Sequence, residues 1–362
     1  MPNAKPKQSC RVHVLLLFKK EIALLKPISF ERAFPNCSAD KVTVTNKGIR
    51  IAFERTRKVS GAKIFGKTRI DYIRWIILLL SCLEDNPSAP SVASISYSLN
   101  EATPKNLKIP EELQQTIIEY SGIHFPYTTI DKALKSDCSS EALKIAISYC
   151  WVASKAISQE ERLKLLWGAF NALYRWYGKS QNLKNPREIA MLDATNKLFL
   201  SQNVLVKTIR QFDKALRDPI WKNLIRWKVI TSSRSSSLYI QMKDKQDVHN
   251  AKCNRLMFLD KDTLIYMRDI GCGTVKGKQS LKSAIDTLLP HAKTDKVPLR
   301  RACLLACRYA YIFRCEGVHA NKVYPVFNAK SESEKQFVND LLELVIVDFS
   351  TWIASNNMTA KN

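Results

Sequence analysis

The sequence predicts a mainly α-helical protein: a C-terminal helical bundle preceded by a small α+β N-terminal region. Three observations point there. From Ser139 onward, apolar residues recur at helical spacing in one long segment after another. Before that, Lys41–Phe53 alternates apolar and polar residues around Asn46-Lys47-Gly48, as a β-hairpin does. Apolar residues make up 46% and aromatics 9% of 362 residues, enough for a sizeable core and too much for wholesale disorder. At roughly 100–200 residues per domain the length suits two domains. They are drawn as residues 1–110, a basic α+β region ending in a Pro/Ser-rich linker or loop, and residues 111–362, the helical domain with its core at 139–355.

Residues 1–9 are polar and lysine-rich and read as a loose end, and Arg11–Leu25 is strongly apolar with interleaved Lys. The hairpin over Lys41–Phe53 follows, then a buried helix over Asp71–Leu83. Between Asp85 and Pro110 stand Pro87, Pro90, Pro104 and Pro110 among many Ser and Asn, the composition of a linker or long loop. Ser139–Ile157 is a helix. The next helix opens on Ser158-Gln159-Glu160-Glu161, in which Ser158 and Glu161 can satisfy each other's orphan amides. Its positions Leu163, Leu166, Trp167, Phe170, Leu173, Tyr174 and Tyr177 lie on one face, and Gly178 stands where a C-cap belongs. Further helices are predicted after Pro186 and over Val204–Val229, Ser280–Leu289, Leu299–His319 and Glu334–Ile353, with loops near 231–252 and 271–279. No internal repeat is visible.

With 57 Lys+Arg against 33 Asp+Glu the net charge is +24. Such a charge concentrates polyanions around the chain, and RNA or DNA is the first partner to expect, ahead of an anionic membrane surface. The excess is uneven. Residues 1–74 carry 17 basic and 5 acidic residues, residues 301–362 carry 7 and 6, and much of the remainder lies between Lys197 and Arg301. The ten cysteines are scattered without a C-x-x-C pair; Cys303 and Cys307 stand one helical turn apart. They read as small buried hydrophobes in a reducing compartment rather than as a disulfide framework or a zinc site. Val12–Phe18 is too short for a signal peptide's apolar core and Ile73–Leu83 too short for a span, so a cytoplasmic location is expected.

Three stretches carry chemistry worth weighing. Gly271-Cys272-Gly273-Thr274-Val275-Lys276-Gly277-Lys278 invites comparison with a phosphate-binding loop. Five residues rather than four separate Gly271 from Gly277, and Gln279 stands where the hydroxyl should be, so the stretch reads as a basic turn. Trp167, Phe170, Tyr174, Trp176 and Tyr177 could stack bases, but most share one helical face and read as core. The third stretch is Arg314-Cys315-Glu316-Gly317-Val318-His319, at the end of the apolar run Leu299–Phe313 and upstream of another, Phe337–Ile353. A histidine titrates near neutral pH and can move a proton, while an arginine offers a permanent planar charge to phosphate oxygens. That pairing suits RNA cleavage by its own 2′-hydroxyl, with no metal and no cofactor.

Leu166-Trp167-Gly168-Ala169-Phe170-Asn171-Ala172-Leu173-Tyr174 resembles the first long helix of many HEPN proteins. Arg314…His319, an Arg-x4-His, resembles the ribonuclease motif of the same family, and the two together cover residues 139–355. The resemblance implies a HEPN-like helical bundle that homodimerises, bringing two motifs into one cleft. It implies a metal-independent endoribonuclease in a defence or toxin-like role, with RNA as substrate and an antitoxin or other regulatory protein as a further partner. By position, Arg314 and His319 are the implied catalytic pair. Cys315 and Glu316 are auxiliary candidates, Glu316 being first an exposed helix charge and second a group that orients His319. Arg308 and Lys322 flank the motif as candidates for contact with nucleic acid. Cys315 stands where the family often has Asn, Asp or His, and Ala320 where it often has Gly. The alternative expectation is therefore a non-catalytic module that binds nucleic acid or protein.

Overall fold

Alternation along the first strand sets the architecture of the N-terminal half. In β1 (Cys10–Phe18) the side chains of Val12, Val14 and Leu16 are fully buried, while His13 and Leu15 between them are half-buried and Arg11 and Leu17 on either side are exposed. This is the period-two pattern of a sheet with one covered and one open face. The computed structural model describes residues 10–217 and 329–356, apart from 35–36, 56–63, 65, 85, 87–88, 115–119, 136–137, 182 and 184–187. The chain divides into two units, Met1–Ile147 with Ile353–Asn357 and Ser148–Trp352 with Met358–Asn362.

In the first unit β1 is joined by β2 (Ile28–Phe34), β3 (Cys37–Thr45), β4 (Gly48–Arg55), β5 (Val92–Leu99) and β6 (Lys105–Leu107). The order is β2-β3-β4-β1-β5-β6, every neighbouring pair antiparallel. The covered face stacks Val12 beside Phe53, Val14 beside Ile51 and Leu16 beside Ile49, all buried. The helices of this unit are α1 (Lys67–Ser81), the short α2 (Glu111–Gln114), α3 (Tyr127–Leu134) and the start of α4 (Cys138–Ala153).

This sheet corrects the mainly α-helical expectation: six strands make the N-terminal region a full antiparallel sheet, and the chain is not a bundle with a small appendage. The physical reason lies in residues 85–110. Their Ser, Asn and Pro content is that of a loop, yet Ser94, Ser96 and Ser98 alternate with Ile95, Tyr97 and Leu99 along β5. β5 pairs with β1 over most of its length, Leu16 opposite Ile95 and Val14 opposite Tyr97. Serines on the open face of an antiparallel sheet are ordinary solvent-side residues. The hairpin over Lys41–Phe53 is present, with Thr45 opposite Gly48 and a two-residue Asn46-Lys47 turn. Gly48 belongs to β4 rather than to the loop, and a Cβ there would run into the carbonyl of Leu16 on β1. The buried helix expected at Asp71–Leu83 is α1.

The second unit holds the end of α4, α5 (Gln159–Ser180), α6 (Glu188–Ser201), α7 (Val206–Arg217) and most of α8 (Ala329–Ser355). These match helices expected from Ser139–Ile157, Ser158, Pro186 and Glu334, with ends shifted by a few residues; of the helix expected over Val204–Val229, residues 206–217 are described as helix and 218–229 lie outside the described residues. The expected helices over Ser280–Leu289 and Leu299–His319 lie outside the described residues, as does the Gly271–Lys278 turn. The bundle spanning 139–355 is therefore not what the structure describes; it describes four helices and the end of α4 in this unit. α5 starts as expected: Ser158 Oγ accepts from the Glu161 N–H at 3.1 Å. The returning bond differs by one residue, since the Glu161 carboxylate accepts from the Ile157 N–H at 3.2 Å. Gly178 is not a C-cap. α5 continues to Ser180, and a Cβ at Gly178 would collide with the side chain of Met191 on α6. Among the described residues no helix is long and apolar enough to cross a membrane.

Candidate functional site

Arg314, Cys315, Glu316 and His319 lie outside the described residues, and so do Arg308 and Lys322. The other half of the sequence argument, Leu166–Tyr174, is placed: it is the middle of α5, with Leu166, Ala169, Leu173 and Tyr174 fully buried.

The aromatic side chains of that helix form a core rather than a platform for bases. Phe170 meets Tyr174 edge-on at 5.3 Å between centroids, and Trp167 meets Phe170 at 5.5 Å. α8 adds Phe349, which packs edge-on against Phe199 of α6 at 5.1 Å and Tyr177 at 6.1 Å. Edge-to-face packing at these separations is the favoured arrangement of ring quadrupoles. Tyr174 keeps its polar end satisfied by donating to the Glu188 carboxylate at 2.5 Å.

Polar clamps fix α8 and α7 against this core. α8 runs parallel to α5: Asn339 Nδ2 donates to the Gln159 carbonyl at 2.8 Å, and further along Arg162 donates twice to Glu343, at 2.7 and 3.2 Å. Burial raises the Glu343 carboxyl above its ordinary range while Arg162 pulls it back. The N-terminus of α7 is capped from a distance. Asp348 of α8 accepts from the Lys207 N–H at 3.1 Å, the Thr208 N–H at 2.7 Å and the Thr208 hydroxyl at 2.8 Å. The first amides of a helix lack intrahelical partners and carry the positive end of its dipole, so a carboxylate there satisfies both needs. Burial pushes the Asp348 carboxyl up, and those bonds from Thr208 and Lys207 oppose the shift.

So anchored, α7 presents two faces. Ile209 is buried, as are Val204 and Leu205 just before the helix, whereas Arg210 is exposed. At 3.6 residues per turn, Lys207, Arg210, Lys214 and Arg217 fall within an arc of about 80° on the helix. The positions of Ile209, Phe212 and Leu216 centre roughly 150° away by the same geometry. The spacing Lys-x2-Arg-x3-Lys-x2-Arg is legible in the sequence.

The first unit holds a buried ionic centre that local sequence gives no sign of. Asp40 of β3 is fully buried; its Oδ2 accepts from Arg69 Nε at 2.9 Å and from the Tyr72 hydroxyl at 3.1 Å. Its Oδ1 accepts from Arg55 at 3.1 Å and from Arg69 Nη2 at 3.2 Å. Both guanidinium groups also stand over the ring of Phe53, at 3.9 Å for Arg69 and 4.5 Å for Arg55. Burial and the Asp40 charge raise the Tyr72 hydroxyl well above the usual phenol range, so it stays protonated and donates. With its carboxylate fully bonded and closed to solvent, this centre ties α1 to β3 and β4 and offers no group to a substrate. Among the described residues no three metal-ligating side chains come together. Cys10, Cys82 and Cys150 are buried, as small hydrophobes are, and burial pushes the Cys82 thiol up to about 12.

Compared with protein-family models, curated proteins and solved structures, the chain matches none.

Proposed function

We propose that this chain binds RNA and cleaves it without a metal ion, with Arg314 and His319 as the catalytic pair. The observation that carries the reading is the joint presence, in one chain and in this order, of the Leu166–Tyr174 run and the Arg314-x4-His319 spacing. The net charge of +24 supports it, because neutralising phosphates and releasing their counterions favours nucleic-acid binding.

In this reading the His319 imidazole takes the proton of a ribose 2′-hydroxyl. The freed oxygen attacks the adjacent phosphorus, and the bond from phosphorus to the 5′-oxygen breaks. The departing oxygen takes a proton from solvent. Arg314 lies against the non-bridging oxygens and offsets the charge that builds there. The products end in a 2′,3′-cyclic phosphate and a 5′-hydroxyl. DNA survives because it lacks the 2′-hydroxyl.

The test is incubation of the purified protein with RNA in EDTA, followed by mapping of the new ends. Cyclic or 3′-phosphate ends are expected. Loss of cleavage in EDTA, or 3′-hydroxyl ends, contradicts the proposal. Cys315 and Ala320, which depart from the usual neighbours of the motif, favour a second reading in which the protein binds RNA and does not cut it. Tight RNA binding with no cleavage of any RNA supported is the outcome that reading predicts.

A further inference from the structure

We infer that the open face of the N-terminal sheet, centred on Arg50 and Lys41, is the surface on which the phosphate backbone of RNA docks. The inference rests on the RNA-binding reading above and names the surface responsible for it.

Strand register fixes which side chains share that face. Arg50 of β4 stands opposite Thr43 of β3 and Leu15 of β1, while Ala52 stands opposite Lys41 and His13. Thr43 in turn stands opposite Ser29 of β2, and Leu15 opposite Ser96 of β5. Arg50, Lys41 and Ser29 are exposed and the others half-buried, as on the solvent side of an antiparallel sheet. Arg50 and Lys41 are diagonal neighbours on adjacent strands, roughly 7–8 Å apart by sheet geometry. Neither forms an ion pair with an acid among the described residues. Glu54 is taken up by Arg11 at 3.1 Å, which leaves Glu31, opposite Lys41, as the other acid among the face's described residues. Where β1 leaves the sheet, the Phe18 N–H donates to the Lys47 carbonyl, and exposed Lys19 and Lys20 follow; Glu21 reaches Lys47 at 3.6 Å. Over residues 10–33 and 39–55, eight exposed Lys or Arg stand against three exposed Glu, so the basic excess of these strands is presented to solvent.

A sugar-phosphate backbone matches what this face offers. Guanidinium and ammonium groups bond phosphate oxygens, and serine and threonine hydroxyls donate to phosphate or sugar. The Ser29 and Thr43 hydroxyls bond each other at 3.2 Å, which uses one of their two hydrogens and leaves the second to donate outward. No aromatic ring stands among the described residues of the face, so it contacts the backbone without stacking bases. An anionic membrane is the other polyanion to weigh, and a protein that seats itself in lipid does so through an apolar face. Leu15 and Leu17 are the only large apolar side chains among this face's described residues, which favours RNA.

The test is RNA binding by the full chain, read as fluorescence anisotropy of a labelled single-stranded RNA across a salt series. Log K falls linearly with log[salt], with a slope of about 0.7 per phosphate neutralised for single strands. The variant Lys41→Gln/Arg50→Gln should flatten the slope by about 1.4, two contacts at that increment. The charge-preserving variant Lys41→Arg/Arg50→Lys should keep the wild-type slope. So should Arg175→Gln/Lys179→Gln, which removes the same charge from two exposed positions of α5. If the neutral sheet variant melts early, Arg50→Gln alone, on an exposed residue, should still flatten the slope by about 0.7. A wild-type slope retained in a folded neutral sheet variant, or equal flattening by the α5 variant, overturns this inference and leaves RNA binding standing. Wild type that binds no RNA at about 50 mM salt overturns both. Wild type that binds phosphatidylserine vesicles and not RNA assigns the face to membranes and overturns both as well.

Discussion

Glu101 holds φ at 64°, beside Asn100 at 46°, both in the left-handed region that non-glycine residues avoid. The two form the tight turn between β5 and β6, closed by a bond from the Ala102 N–H to the Leu99 carbonyl at 3.0 Å. Asn100 suits its place, since it tolerates this backbone and its Oδ1 accepts from the Arg11 N–H at 2.8 Å. Glu101 has no such compensation in its backbone geometry, and a left-handed non-glycine residue costs about 1–2 kcal/mol. Glu101→Gly completes an Asn-Gly turn and should raise stability by about 1 kcal/mol in urea unfolding; a loss of stability contradicts the strain. Asp40 makes the opposite case. Asp40→Ala removes the buried carboxylate that Arg69, Arg55 and Tyr72 share and should cost about 3–5 kcal/mol, as breaking a buried ion pair from one side does. A cost below 1 kcal/mol would show the cluster to be far more solvated than its geometry. Neither feature is legible locally: the φ of Glu101 is set by the sheet, and Asp40 meets Arg69 and Tyr72 across about thirty residues of sequence.

At the scale of elements, legibility tracks whether the deciding interaction is local. The hairpin of β3 and β4 shows in the sequence because alternation and turn sit side by side. The start of α5 shows because its cap and the bonded amide are three residues apart. β5 does not show, because its serines report the solvent on the open face and hide the strand beneath. Gly178 is the instructive misreading. A glycine near the end of a helical pattern suggests a cap, but here it admits Met191 and lets α5 and α6 approach closely. Gly178→Ala should therefore destabilise the protein by about 1–3 kcal/mol, as overpacking does. At a true C-cap the cost would come from backbone strain, but Gly178 lies inside α5 and its φ is outside the left-handed region. Enlarging the space with Met191→Ala should thus reduce the cost of Gly178→Ala in a double-mutant cycle. Strict additivity of the two changes would contradict the close approach. The Asp348 cap on α7 is invisible for another reason: donor and acceptor are separated by 140 residues.

For the whole molecule, charge was the most legible property and its location the least. The excess in residues 1–74 looks like a detachable basic segment, yet those residues supply β1 to β4, four of the six strands of a sheet, and the first half of α1. Deleting them would remove much of the first unit's core along with its charge. Of the site read from the sequence, the structure places the Leu166–Tyr174 run as core of the second unit, and the Arg314–His319 pair lies outside the described residues. In the proposed function this pair cleaves RNA. The measurement that bears on it most directly is the single-turnover rate of RNA cleavage in EDTA for wild type, His319→Ala and Arg314→Ala, with thermal melts to show that each variant is folded. A fall of roughly 10²–10⁴-fold is expected for His319→Ala, the usual worth of a general base, and a comparable fall for Arg314→Ala. Cleavage at the wild-type rate by both folded variants would contradict it.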